Sequence, residues 1–185
     1  MAIRRVGLRD TILKDRRIRK FRIKMGRLIE KDTLDTLIDE MKALHAKRWE
    51  RRAAREGRRL IEKSQSILID MVMRNQSYRS RCAAIKMDIY VVFLEVESYI
   101  SSIVKYVIAE HGGIVSDLTG GSRTKSDREG FVESLFEKEL KFKMRLATVL
   151  KIADILIEDL DQAGWAVQRT TNVLQITQGK GAARI

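Results

Sequence analysis

The chain has 185 residues, 34% of them charged, and its 37 lysines and arginines against 25 acidic residues give a net charge of +12. Proline is absent, and a single cysteine, Cys82, excludes a scaffold held by internal disulfides. Helix-forming residues dominate, which argues against a sheet protein rich in turns. We therefore expect an all-α protein, an elongated helical bundle of long helices, in a reducing, cytoplasmic setting without an export signal.

The basic residues are unevenly distributed. Residues 1–63 carry 21 lysines and arginines against 10 acidic residues, whereas residues 64–185 carry 16 against 15. A basic segment in a chain of pI near 10 is typical of nucleic-acid binding, because each phosphate that is neutralised releases condensed counterions. A solvated face, an acidic protein partner and an anionic lipid surface are the alternatives.

We divide the chain into two regions. We expect residues 1–26 to be a basic N-terminal arm and residues 27–185 to be a helical domain. From Ile18 to Met25 apolar and basic residues alternate with period two, a pattern that fits an extended arm and equally a helix that forms only on binding. A glycine-rich loop is expected at 111–130 and a helical C-terminal part at 131–178.

The helical domain begins with one clear amphipathic pattern. Apolar residues at three- and four-residue steps predict a helix from Leu34 to Trp49, and a basic face continues it to Arg59. Gly26 precedes this helix as a break, and Gly57 marks its end or a bend. Residues 75–77 (NQS) then mark a further break.

Later boundaries rest on capping residues. A helix from Tyr78 to Glu110 ends at the following pair of glycines, and Ser126 with Glu129 predicts a capping box at the start of the next helix. That helix runs to about residue 162, with Gly164 as its C-cap and Trp165 as a packing anchor.

The segment 89–109 is long enough to span a bilayer, but it contains Glu95, Glu97 and Lys105. Each charge near the bilayer centre costs roughly 2.5 to 3.5 kcal/mol on insertion scales. We therefore predict a buried helix, central in the fold or at a subunit contact, and no membrane partner.

Catalytic chemistry is not indicated. His45 and His111 lack the spacing of metal ligands, and His45 is better explained as a core histidine. Residues 120–126 (GGSRTKS) do not match a phosphate-binding loop, and the acidic cluster at 154–161 is typical of a solvated helix face. We expect no enzyme activity, no metal and no cofactor.

The candidate phosphate contacts fall in the arm, on the basic face after Ala46 and in the glycine-rich loop. No zinc-finger, homeodomain or RNA-recognition signature is present, so backbone contacts without sequence specificity are expected. Trp49 is a candidate for stacking on a base, with helix packing as its alternative role. The predicted nucleic-acid-binding residues are Arg4, Arg5, Arg16, Arg17, Arg19, Lys20, Arg22, Lys24, Lys47, Arg48, Trp49, Arg51, Arg52, Arg55, Arg59, Arg123 and Lys125.

Two C-terminal segments, 141–146 (KFKMRL) and 163–180 (AGWAVQRTTNVLQITQGK), together resemble the end of the phage recombination mediators of the UvsY type. Residues 43–52 (ALHAKRWERR) are similar in kind to a basic, tryptophan-containing helix of that family. The chain departs from the family in its apolar helix, its glycine-rich loop and its more basic arm. The resemblance implies a small helical oligomer that binds single-stranded DNA through Lys47, Arg48 and Arg51.

The sequence thus predicts a self-associating, non-enzymatic nucleic-acid-binding protein. We expect a recombination accessory protein that binds single-stranded DNA in the cytoplasm, or in the host cytoplasm if it is viral. The family's role would be to help load a recombinase onto coated single strands. One alternative is a structural subunit of a larger helical nucleoprotein assembly, such as a viral coat or the small helical subunit of an RNA-guided complex. Another is a helical adaptor whose arm docks an acidic protein.

Overall fold

The computed structural model of the protein describes residues 2–47, 65–120 and 124–182, and every regular element within these ranges is an α-helix. The all-α prediction is confirmed. In this part of the chain the helices are α1 (Ala2–Lys14), α2 (Arg16–Glu30), α3 (Leu34–Ala46), α4 (Gln65–Glu110), α5 (Gly112–Thr119), α6 (Lys125–Ser134) and α7 (Glu137–Ala182).

The chain divides into two compact units, to both of which α4 and α7 contribute. The first comprises Met1–Thr33 and Tyr90–Thr148, and the second comprises Leu34–Ile89 and Val149–Ile185. Residues 1–26, predicted as a separate arm, thus belong to a unit that also contains most of the segment predicted as a central apolar helix.

The core of the first unit is built where α2 meets the turn between α6 and α7. Phe21 and Phe136 are both buried, and their rings meet edge to face with centroids 5.2 Å apart. Ile18 and Met25 are fully buried beside Phe21 on the same face of α2. This 3.6-residue spacing explains why residues 18–25 are helical rather than extended, since only a helix brings all three side chains to one face.

The second unit is held partly by polar contacts in its core. His45 is buried, and its Nε2 lies 2.9 Å from a carboxylate oxygen of Asp159, which agrees with the prediction of a satisfied core histidine. The buried Asn75 donates a hydrogen bond from its side-chain nitrogen to the carbonyl of Leu160 at 2.6 Å. Cys82 is also buried, and burial raises the pKa of its thiol, so its role is that of a small core residue.

Three of the predicted breaks are wrong. The helix α2 passes through Gly26. The helix α4 passes through residues 75–77, where the side chain of Asn75 donates a hydrogen bond within the second unit and does not stabilise a turn. Likewise, α7 continues through Gly164. A Cβ at residue 164 would lie 3.3 Å from the side-chain nitrogen of Asn75, so this glycine permits close packing and does not cap a helix.

The loop predicted at 111–130 is also wrong, since α5 and most of α6 lie there. Gly120, with a φ of 80°, ends α5 in the left-handed conformation that favours glycine. The capping box before α6 is formed by Thr124 and Asp127, two residues earlier than predicted. The predicted helix end at Glu110 is confirmed, because α4 stops there.

Candidate nucleic-acid interface

Most of the phosphate contacts that we predicted in the N-terminal arm lie on α2. Contacts at the first turn of this helix fix its position. Asp15 caps the helix, and its carboxylate accepts hydrogen bonds from the backbone N–H groups of Arg17 at 2.7 Å and Ile18 at 3.3 Å. The hydroxyl of Tyr106 donates to the other carboxylate oxygen at 3.1 Å. The cap therefore ties the start of α2 to α4.

These contacts change the acidity of the cap. Partial burial alone would raise the pKa of Asp15, but the hydrogen bonds from Arg17, Ile18 and Tyr106 outweigh it and lower the pKa below its usual value of 3.8. The carboxylate is thus ionised at neutral pH, where a negative charge at a helix N-terminus is stabilising.

Three of the basic residues of α2 have partners inside the first unit. Arg22 donates to the carbonyl of Leu135 at 3.0 Å and lies 4.0 Å from Glu139. Arg17 lies over the ring of Tyr106, with 4.7 Å between its guanidinium carbon and the ring centroid. These two side chains, predicted to bind nucleic acid, hold α2 against its neighbours.

Lys24 is the third. Its ammonium group donates to the hydroxyl of Tyr99 and lies 3.7 Å from a carboxylate oxygen of Glu95. The hydrogen bond with Tyr99 is the main reason that the pKa of Lys24 is raised, with Glu95 adding to it. Lys24 therefore serves an internal contact rather than an open site.

The opposite face of α2 is different. Arg16, Arg19 and Lys20 are exposed, as predicted for phosphate contacts, and Arg27 joins them although it was not predicted. None of these four side chains has an ion pair or hydrogen bond within the described ranges. We call them the α2 basic face. The helical period could have identified Arg27, because residue 27 lies three turns of helix after residue 16 and two turns after residue 20, on the same face.

One apolar residue interrupts this face. Ile23 lies between Lys20 and Arg27 and is 59% exposed, while Ile18, Phe21 and Met25 point into the core. Its outward position produced the apparent alternation with period two. The sequence pattern of the segment was therefore a helical pattern with one exposed apolar residue.

The remaining predicted contacts are only partly described. Lys47 is exposed at the end of α3, and Lys125 is exposed at the start of α6 with its ammonium group 4.0 Å from Glu129. The side chains of Arg4 and Arg5 lie outside the described part of the chain. The same is true of Arg48, Trp49, Arg51, Arg52, Arg55, Arg59 and Arg123.

Trp165 on α7 is 62% exposed, so its predicted role as a packing anchor is wrong. It lies on one face of α7 with Gln162, Ala166 and Arg169. An exposed indole beside a guanidinium and an amide is the combination on which a nucleic-acid base can stack. This site lies in the second unit.

The acidic cluster at 154–161 serves ion pairs within that unit. Asp154 pairs with Lys86 at 2.5 Å, and Asp161 pairs with Arg79. No group of three or more His, Cys, Asp or Glu side chains that could hold a metal ion occurs in the part of the chain that the structure describes. Nor is any helix there long and apolar enough to cross a membrane.

No family model, curated protein or solved structure matches this chain. The resemblance to the phage recombination mediators therefore stays a prediction.

Proposed function

We propose that this protein binds nucleic acid through phosphate contacts from the α2 basic face, without sequence specificity and without catalysing a reaction. The observation that supports the proposal is that some basic residues of α2 have intrachain partners and others do not. All seven of these basic side chains are exposed, but Arg17, Arg22 and Lys24 have partners in the first unit, whereas Arg16 and its three companions have no acidic partner among the described residues. Basic side chains left unpaired on a rigid helix are available to a phosphate backbone.

The dimensions of the α2 basic face suit this role. Arg16 and Arg27 are eleven residues apart, which is about 16 Å along the helix axis. One strand of B-form DNA has a phosphate about every 3.4 Å along the duplex axis, so the face is long enough to reach more than one phosphate of a single backbone. Phosphate contacts from lysine and arginine carry no sequence information by themselves, so we expect binding without sequence specificity.

Trp165 supports single strands as the preferred form. In a duplex the bases are stacked on each other, whereas a single strand leaves base faces free for an indole. The proposal therefore includes single-strand binding, self-association and, as the resemblance implies, a role as an accessory that helps load a recombinase. The adaptor and nucleoprotein-subunit alternatives rest on the sequence alone.

The test is a comparison of two triple variants with equal loss of charge. Arg16→Gln/Lys20→Gln/Arg27→Gln removes three residues of the α2 basic face, and Lys42→Gln/Lys138→Gln/Lys151→Gln removes three exposed lysines elsewhere. Fluorescence anisotropy with a labelled single strand measures the affinity of each. Since each lost single-strand phosphate contact removes about 0.7 counterions, the first variant should bind about a hundredfold more weakly at 0.1 M salt.

The control triple variant should lose far less affinity, because only the shared loss of net charge affects it. Equal weakening in the two variants would contradict a defined interface on α2 and indicate diffuse electrostatic attraction. Circular dichroism of both variants establishes that their helical content is unchanged.

Substitution of Trp165 tests the preference for single strands. Trp165→Ala should weaken binding of a single strand by the value of one stacked base, about 1 to 3 kcal/mol, and leave duplex binding unchanged. Ile155→Ala, which shortens another exposed apolar side chain of α7, is the matched control. Equal affinities of wild type and Trp165→Ala for the single strand would exclude stacking at this residue.

A further inference from the structure

The outward face of α4 carries a stripe that its own chain leaves uncovered. It runs from Met73 to Ser101 in alternating steps of four and three residues, and all its positions are exposed. Its large residues are conspicuous, since Met73, Met87 and Val91 are 57% to 62% exposed. The stripe has nine positions, of which four are serine and the other five are Met, Ala, Val or Leu, and it carries no charge in a chain of which 34% is charged.

The period of the stripe is that of a coiled-coil seam. Steps of four and three residues average 3.5, the spacing that keeps a row of side chains facing a partner helix along its length. Charged residues, Asp70 and Lys105, occupy the next position of the same row at each end and so delimit it. An exposed, uncharged row of small and apolar side chains with this period is typical of a helix–helix interface.

We infer that this stripe, the α4 seam, binds the α4 seam of a second copy of the chain in antiparallel orientation. The sizes of the residues favour this partner. In the antiparallel arrangement centred between Ala84 and Met87, Ala84 faces Met87 of the second copy and Ser77 faces Leu94. Each layer then combines a small residue with a large one, which fills the space between two helices well.

The same arrangement places Val91 opposite Ser80 and Ser98 opposite Met73, so the complementarity extends from Met73 to Ser98. In a parallel pair each residue would instead face its own copy. Ser77 would then face serine and Ala84 alanine, which leaves these layers underfilled, while Met87 would crowd against methionine.

The charges beside the seam select the same orientation. Along one edge Arg74 and Arg81 precede Asp88 and Glu95. In the antiparallel pair Arg81 of each copy lies beside Asp88 of the other, and Arg74 lies beside Glu95. Within its own chain Arg81 donates from its Nε to Glu40 at 2.7 Å, and its guanidinium has further N–H groups for a second carboxylate. Arg74 lies 2.7 Å from Asp70 and Glu95 lies 3.7 Å from Lys24, so the second copy would be a further partner for each of these groups. In a parallel pair the edges would bring no opposite charges together, so these pairs fix the direction of the partner.

The inference does not depend on nucleic-acid binding and is tested without nucleic acid. Light scattering during size-exclusion chromatography should show a dimer of the wild-type chain at tens of micromolar. Ala84→Glu should give a monomer of unchanged helical content, since residue 84 is exposed in the single chain. Met144→Glu, at an exposed position of α7 outside the seam, should leave the dimer intact. A monomeric wild type, or a dimer that persists in Ala84→Glu, would overturn the inference.

The orientation has its own test by disulfide cross-linking. The double variant Ser77→Cys/Leu94→Cys should form covalent dimers on mild oxidation, because the two positions face each other across the antiparallel seam. Ser77→Cys alone should not, since its copy lies about 25 Å away along the axis. The native Cys82 is buried and gives no background. Cross-linking by Ser77→Cys alone would show a parallel pair and overturn the proposed orientation.

Discussion

At the scale of the residue, similar side chains on one helix have different roles. Arg19 and Arg22 are both predicted phosphate ligands, yet Arg22 donates to the carbonyl of Leu135 and Arg19 is exposed without a partner in the described ranges. Removing Arg22 would leave a carbonyl acceptor without its donor, whereas removing Arg19 costs the fold little. An effect of Arg22 substitution on nucleic-acid binding would therefore combine a loss of charge with a loss of stability.

Asp15 gives a prediction about stability. Asp15→Ala removes the N-cap of α2 and should lower the free energy of unfolding by about 1 kcal/mol at neutral pH. Because the pKa of Asp15 is lowered in the folded state, its contribution is fully present above its unfolded value of 3.8 and is lost as pH falls through the folded value.

Urea denaturation of wild type and Asp15→Ala at neutral pH and through the acid range below pH 3.8 measures this difference. The gap between the two proteins should be constant above that pKa and close as the carboxyl group becomes protonated. A gap that widens in acid would show that the capping carboxylate does not account for the difference.

At the scale of the element, composition and period predicted the helical class and α3, but not the helices at residues 16–30 and 112–119 and not most of the helix ends. The all-α class followed from the absence of proline and the abundance of helix formers, and α3 followed from its apolar stripe. The errors at Gly26, at residues 75–77 and at Gly164 share one cause. A glycine or a polar triplet is a local signal, and tertiary contacts such as that between Asn75 and Leu160 decide whether the helix continues.

The sequence also predicted only part of the candidate nucleic-acid interface. The sequence identified the basic character of residues 16–24. It did not distinguish basic side chains that have an intrachain partner from those that have none, because the partners Leu135, Tyr106 and Tyr99 are distant in sequence. Arg27 was missed because the predicted arm ended one residue before it. The exposure of Trp165 was missed because Gly164 was taken to end the helix.

Gly26 tests the continuity of α2. A Cβ added there would meet no atom within 4 Å, and the residue lies inside the helix. Gly26→Ala should therefore raise the free energy of unfolding by about 0.5 to 1 kcal/mol, since alanine loses less backbone entropy on folding. Thermal and urea denaturation measure the change. A destabilised variant would contradict a continuous helix from Arg16 to Glu30 and restore a break at this residue.

At the scale of the whole molecule, the sequence carries a charge of +12 that is concentrated in residues 1–63. A charge of this size attracts any polyanion, so binding alone does not demonstrate an interface. What distinguishes an interface is a fixed number of phosphate contacts, and the salt dependence of the affinity counts them.

The most direct test of the central claim is therefore a salt series of binding to a labelled single strand by the wild type and by Arg16→Gln/Lys20→Gln/Arg27→Gln. The logarithm of the affinity should fall linearly with the logarithm of salt concentration, and the slope of the triple variant should be shallower by about 2, since three contacts at about 0.7 each are lost. Identical slopes, or no binding by the wild type at low salt, would contradict phosphate binding by the α2 basic face.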